Sequence, residues 1–188
     1  MSTPRLWFVP NSFPERLTPD YDSEEPFERV MFIDGRPIEE PLVVPSFSVA
    51  APRSQLMSYD VLPNAIDVPL VSSRVASIHG QICPNDIQLL PAYIHTKDDP
   101  ITNYFLLNVT ANIFGIDHSQ SDVSMVPGTQ CIMSVNRLRY APEAMGDHHL
   151  AREREYPPFL WVSASVMRKF AEDRIRACEF ALPESIHP

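Results

Sequence analysis

Glycine is nearly missing from this chain: five in 188 residues. So little glycine leaves scant material for the backbone loops that cradle phosphates, and neither G-x-G-x-x-G nor a Walker loop occurs. No run of 18 apolar residues occurs, so the sequence offers no spanning helix and no membrane partner is expected. The opening residues, "MSTPRLWFVPNSFPERL", lack a basic stretch followed by an apolar one, and a secretory leader is not expected. Metal motifs are missing too: there is no H-E-x-x-H and no C-x-x-C. The cysteines are three, an odd number, at Cys83, Cys131 and Cys178. Each stands in apolar sequence, so buried free thiols in a reducing, cytoplasmic compartment are expected.

What the chain does have is proline and negative charge. Its 20 prolines and net charge of −9 are unevenly placed. Residues 1–60 hold 5 basic and 10 acidic side chains, residues 61–130 hold 2 and 6, and residues 131–188 hold 8 of each. The acidic excess therefore lies in the first two thirds. Phosphate contacts need clustered Lys and Arg, so nucleic acid is not expected as a partner. A basic protein is, because opposite potentials attract. A hydrophobic fraction of 44% is enough for a real core, and the length suits one domain, here one carrying an extended arm.

The arm is residues 1–60. Prolines at 4, 10, 14, 19, 26, 37, 41, 45 and 52 exclude a long helix there. Short extended pieces are expected at Trp7–Val9, Val30–Ile33 and Leu42–Val44, with a hairpin around Asp34-Gly35 and a solvated loop over Asp20–Glu28. The arm is expected to pack on the domain formed by residues 61–188. There, Val71, Val75, Ile78 and Ile82 mark one stripe of a helix, with Ser72 or Ser73 as N-cap. "IQLLPAYIHT" reads as a strand, placed at an edge by Pro91. "YFLLNVTANI" alternates as a half-buried strand. "QCIMSVNRLRY" and "FLWVS" are further strands. A second helix carries Val166, Met167, Phe170, Ala171, Ile175 and Cys178, and "CEFALP" closes as a short strand. The fold class is α+β: a mainly antiparallel sheet with two or three helices and a Pro-rich, irregular N-terminal arm.

The densest polar stretch, Asp117-His118-Ser119-Gln120-Ser121-Asp122, invites a chemical reading that its spacing denies. A calcium loop needs glycine at the sixth position and glutamate at the twelfth; Asp122 and Gly128 stand there. No G-x-S-x-G elbow accompanies any serine. His148-His149 fall in "MGDHHLARERE", which reads as a solvated loop. Asp117 is therefore expected to cap a turn where a strand ends. No catalytic residue, metal or cofactor is expected; the alternative is a hydrolase or other enzyme whose site matches none of these motifs.

Four segments in order, "IDVPLVSSRVASIHGQ", "IQLLPAYIH", "YFLLNVTANIFGIDHSQSD" and "FLWVSASVMRKFAEDRIRACEF", resemble the eleventh immunity-protein family of bacterial polymorphic toxin systems, typified by a myxobacterial protein. The likeness runs over roughly Asp67 to Phe180 and rests on the pattern positions Asp67, Ser72-Ser73-Arg74, Asn108, Asp117, Ser121, Trp161, Val162-Ser163 and Phe180. The family has a glycine before the last strand, where this chain has Ala177-Cys178. The resemblance implies an antidote that binds and neutralises a cognate toxin, with nucleases of the His-Asn-His type common among such toxins. A basic toxin would meet the acidic surface, for which the candidates are Asp20, Asp22, Glu24 and Glu25 in the arm and Asp98, Asp99 and Asp122 on turns.

Overall fold

The computed structural model describes residues 3–22, 29–39 and 44–186. The chain is α+β and mainly antiparallel sheet. Its first third supplies β1 (Arg5–Phe8), β2 (Asp20–Tyr21), the short helix α1 (Arg29–Ile33), β3 (Ser46–Ser48) and α2 (Arg53–Leu56). Then come β4 (Val61–Leu62), β5 (Leu70–Ser72), α3 (Ser73–Ile82) and the long hairpin of β6 (Ile87–His95) and β7 (Ile101–Val109). β8 (Asn112–Ile113), β9 (Asp122–Met125), β10 (Ile132–Arg137), β11 (Leu150–Glu153), β12 (Leu160–Val162), α4 (Ala164–Glu172) and β13 (Glu179–Ala181) complete it.

Two sheets organise these elements. One has the order β2-β3-β6-β7-β5-β4, and the other β13-β1-β12-β11-β8; β9 and β10 pair only with each other. All pairings are antiparallel except β3 with β6 and β11 with β8. The segment before residue 61 is thus woven into both sheets, through β1 in one and β2 and β3 in the other.

Strand alternation distributes the apolar side chains over three cores. Leu70 and Leu106 face the first, with Phe32, Phe47 and Leu56. Their neighbours Val71 and Leu107 face the second, with Trp7, Val75, Val162, Val166 and Phe170. Leu6, Ala151 and Trp161 face the third, away from Trp7, Leu150 and Val162 of the same strands. Both sheets are therefore covered on both faces at their centres. β7, expected to be half-buried, is buried on both sides from Leu106 to Val109.

Several expectations are corrected by local chemistry. "VMFIDG" forms α1 and not the arm of a hairpin. Gly35, at φ 63°, ends that helix: its N–H donates to Phe32 O and Arg36 N–H to Met31 O, the paired bonds of a Schellman stop. Asp20–Tyr21 is a strand, not loop; residues 23–28 and 42–43 lie outside the described residues. β6 is interior, not an edge. β3, however, pairs only with Tyr93 to His95, and Tyr93 N–H points to that side. By alternation an N–H at 91 would point the same way, past the end of β3, so proline there breaks no bond of that ladder. Ser72 caps α3 as expected, accepting from Val75 N–H, while Val71 belongs to β5. α4 stops at Glu172, so Ile175 and Cys178 join the second core from the following connector, and Ala171 is exposed. Cys83 is buried and Cys178 half-buried, and burial pushes both thiols up to about 12; Cys131 is exposed, in the turn between β9 and β10.

Phe170 is 2% exposed, with Trp7 edge-on at 5.6 Å between centroids and Phe180 at 5.7 Å. Phe170→Ala should cost about 3–5 kcal/mol in chemical denaturation; a loss below about 1 kcal/mol would place the ring outside the core. His79 gives a pH-dependent test. It is fully buried, its Nδ1 lies 3.3 Å from Cys83 Sγ, and its Nε2 has no protein partner. Burial lowers its pKa to about 4, opposed by Asp86. The unfolded chain takes up the proton first, so stability should fall as pH drops below 6.5, by about 3 kcal/mol at pH 4. Urea unfolding at pH 7 and pH 4 should show a smaller pH effect in His79→Gln than in the wild type.

Candidate functional site

One concavity is built around a buried carboxylate. Asp60 precedes β4 and is 6% exposed. Its carboxylate accepts from Ser72 Oγ at 3.1 Å, from Arg74 Nη1 at 3.3 Å and from Arg176 N–H at 3.0 Å. Its backbone N–H donates to Arg176 O, and its carbonyl accepts from Ser72 N–H. These bonds gather the start of α3 and the connector after α4 around a cavity of about 520 Å³. Arg74, Arg174 and Arg176 line it, with Ser73, Asn103 and Asp173. Arg74 Nη2 also donates to Asp173 O, and Arg176 Nη1 to Ser58 O at 3.3 Å. Arg174 and Ala177, at φ 53° and 67°, hold the left-handed conformation that side chains disfavour. Sequence reading missed this site. The available signal was a lone aspartate in "SYDVLP", directly before an apolar pair.

A second feature is acidic. A shallow hollow of about 450 Å³ runs between Asp20 of β2 and the His95–Lys97 end of β6. The turn after β6 carries Asp98 and Asp99, both exposed. Asp98 Oδ1 accepts from Arg53 N–H at 2.7 Å and from Thr96 Oγ1 at 2.8 Å, and these bonds hold its carboxyl below the usual range. The structure thus brings Asp20, Asp98 and Asp99 to one end of the six-stranded sheet, with Lys97 and the Arg53 guanidinium, bonded to Pro100 O at 3.1 Å, among them. Asp22 follows β2, its N–H bonded to Ser46 O. Asp122 is not part of this group: it begins β9, opposite Arg137, on the separate hairpin. Glu24 and Glu25 lie outside the described residues.

Asp117 is a turn cap. Its Oδ1 accepts from Ser119 N–H at 2.9 Å and Ser119 Oγ at 2.6 Å, and Oδ2 from Gln120 Nε2 at 2.9 Å. Those hydrogen bonds, the Ser119 hydroxyl foremost, lower its pKa.

His148, exposed, and His149, half-buried, lie in irregular chain as expected, but the Leu150–Glu153 that follows them is the fully buried β11 and not loop. Asp86, 4% exposed just before β6, accepts from His148 Nδ1 at 2.6 Å, His149 N–H at 2.8 Å and Leu150 N–H at 3.2 Å, which delivers the chain into β11. His149 Nδ1 stands 3.0 Å from Ser163 Oγ. The carboxylate thus grips His148, while the serine contacts His149, so no single imidazole joins a carboxylate to the hydroxyl as a relay requires. Among the described residues no three His, Cys, Asp or Glu side chains group as a metal site. No helix among them is long and apolar enough to cross a membrane.

No family model matches the chain, and no curated protein matches it in a sequence search.

Asp60→Ala removes the centre of a buried network and leaves its donors unpaired. It should cost about 3 kcal/mol in urea unfolding, and a change under about 1 kcal/mol would show that Arg74 and Arg176 find other partners. At Asp117 the asparagine variant keeps an acceptor oxygen and should unfold near the wild-type midpoint. The alanine variant should unfold at lower denaturant.

Proposed function

We propose that this protein is an antidote of the immunity type: a cytoplasmic binding protein that blocks a basic protein toxin and performs no chemistry of its own. The observation that carries the reading is the acidic end of the six-stranded sheet. Asp98 is fixed by Arg53 N–H and Thr96 Oγ1, Asp99 follows it on the same turn, and Asp20 is in register, across β3, with His95 at the end of β6. Charges already held in place lose little freedom on binding, and opposite potentials speed encounter. The resemblance over Asp67 to Phe180 supplies the class of partner. Its departure at Ala177 is one of side chain more than of backbone, since φ 67° is a conformation that glycine adopts at least cost.

Binding kinetics against the product of the neighbouring gene, at several salt concentrations, test the reading. Exposed charges are screened over about 8 Å at physiological ionic strength, so association should slow as salt rises while dissociation changes little. Asp20→Asn with Asp99→Asn should slow association without unfolding the chain. A salt-independent association rate rejects acidic steering, and no binding rejects the antidote reading for that partner. The contact of Ser163 Oγ with His149 Nδ1 is what an enzyme reading would rest on. Full protection by Ser163→Ala would remove that support.

A further inference from the structure

We propose that the arginine-lined cavity beside Asp60 binds the phosphate group of a phosphomonoester, a role separate from that of the acidic end.

The chain has a net charge of −9, yet Arg74, Arg174 and Arg176 converge on one cavity of about 520 Å³. The carboxylates there are committed: Asp60 to Ser72, Arg74 and the Arg176 N–H, and Asp173 to Lys169 at 3.0 Å. The guanidinium of Arg174 has no partner among the described residues, and Arg176 uses Nη1 alone. Donors therefore exceed acceptors at the cavity.

Arg74 reaches the rim from the first turn of α3, where Asp60 already faces it, and Ser73 of that turn lines the cavity with its hydroxyl donated to Asn103 O at 3.0 Å. The donors left for a further anion are those of Arg174 and Arg176.

The connector that brings Arg174 and Arg176 to the rim has two non-glycine residues, Arg174 and Ala177, in left-handed conformation. Such outliers persist where the surroundings fix them and concentrate at ligand sites. A planar fork of donors suits a phosphate better than a point charge does, because it can bond two oxygens at once. The cavity is also far larger than one phosphate needs, which leaves room for the organic part of an ester.

Calorimetric titration of the full chain at constant ionic strength, balanced with chloride, tests this. The probes are inorganic phosphate, glucose 6-phosphate and acetate. Both phosphates should bind saturably at one site and acetate should not. In Arg174→Gln/Arg176→Gln the affinity should fall by about tenfold or more, since a single charge-assisted hydrogen bond is worth that much. Arg137→Gln/Arg168→Gln removes the same charge away from the cavity and should bind as the wild type does. Arg174→Gln alone spares the Arg176 bond to Ser58 and should show a partial loss if the double variant fails to fold. Tighter binding of the ester marks an organic phosphate as the ligand; equal affinities mark the phosphate group alone. No saturable binding, acetate binding as well as phosphate, or affinity unchanged in the variants would overturn the proposal. None of these outcomes depends on the toxin.

Discussion

The fold around the cavity depends on satisfying one buried charge. An ionised carboxylate at 6% exposure is costly unless donors surround it. Asp60 meets that requirement with donors from two separate stretches: Ser72 and Arg74 at the start of α3, and the backbone of Arg176 beyond α4. None of these can shift without uncovering the charge. The backbone bond from Asp60 N–H to Arg176 O fixes the connector again. Arg74 and Arg176 are therefore held at the rim by the way Asp60 is buried, while the guanidinium of Arg174 is not.

A second aspartate does for the two sheets what Asp60 does for the cavity. Asp86 takes bonds from three successive residues entering β11, while its own carbonyl accepts from Thr110 and Ala111 just after β7. It joins the end of the six-stranded sheet to the start of the five-stranded one. Glu153 finishes the same strand, fully buried, and accepts from Gly115 N–H, Glu155 N–H and the Trp161 indole. Burial raises its pKa in spite of those bonds. Gly115 is confined to glycine by that indole, which a Cβ would strike. On the opposite face Arg152 is 1% exposed and donates Nη1 to Pro157 O, while burial draws its pKa down to about 10.

Much of this was legible in the residues. The stripe from Val75 to Ile78 and the Ser72 cap located α3, and the alternation after Tyr104 located β7. The misreadings have two causes, one local and one distant in sequence. "VMFIDG" suits an extended strand until a Schellman stop three to five residues long is formed at Gly35, and "LARE" is polar enough for a loop until Asp86, more than 60 residues away, receives the chain that enters it. Pro91 correctly signals a missing ladder bond, but the chain meets that by ending β3 early and not by placing β6 at an edge. Asp60 was invisible to motif logic because its partners lie 12, 14 and 116 residues away.

The acidic residues show why net charge by segment is a blunt guide. Residues 61–130 carry 6 acids against 2 bases, yet those acids have unlike fates. Asp86 is consumed inside the protein, and Asp117 is turned upon its own loop. Asp122 stands across from Arg137, which offsets its field. Asp98 and Asp99 remain exposed on a turn held from below by α2, whose first N–H grips Asp98. Just past the other end of α2, Met57 lines the arginine cavity. Four residues of helix thus separate a fixed acidic turn from a fixed basic hollow. Surface fields of opposite sign that close together cancel at a distance and differ sharply nearby. For the antidote proposed above, the long-range pull on a basic partner would then be the acidic excess of the whole chain, Asp20 and Asp99 included, and the local pattern around α2 would serve register once that partner has arrived.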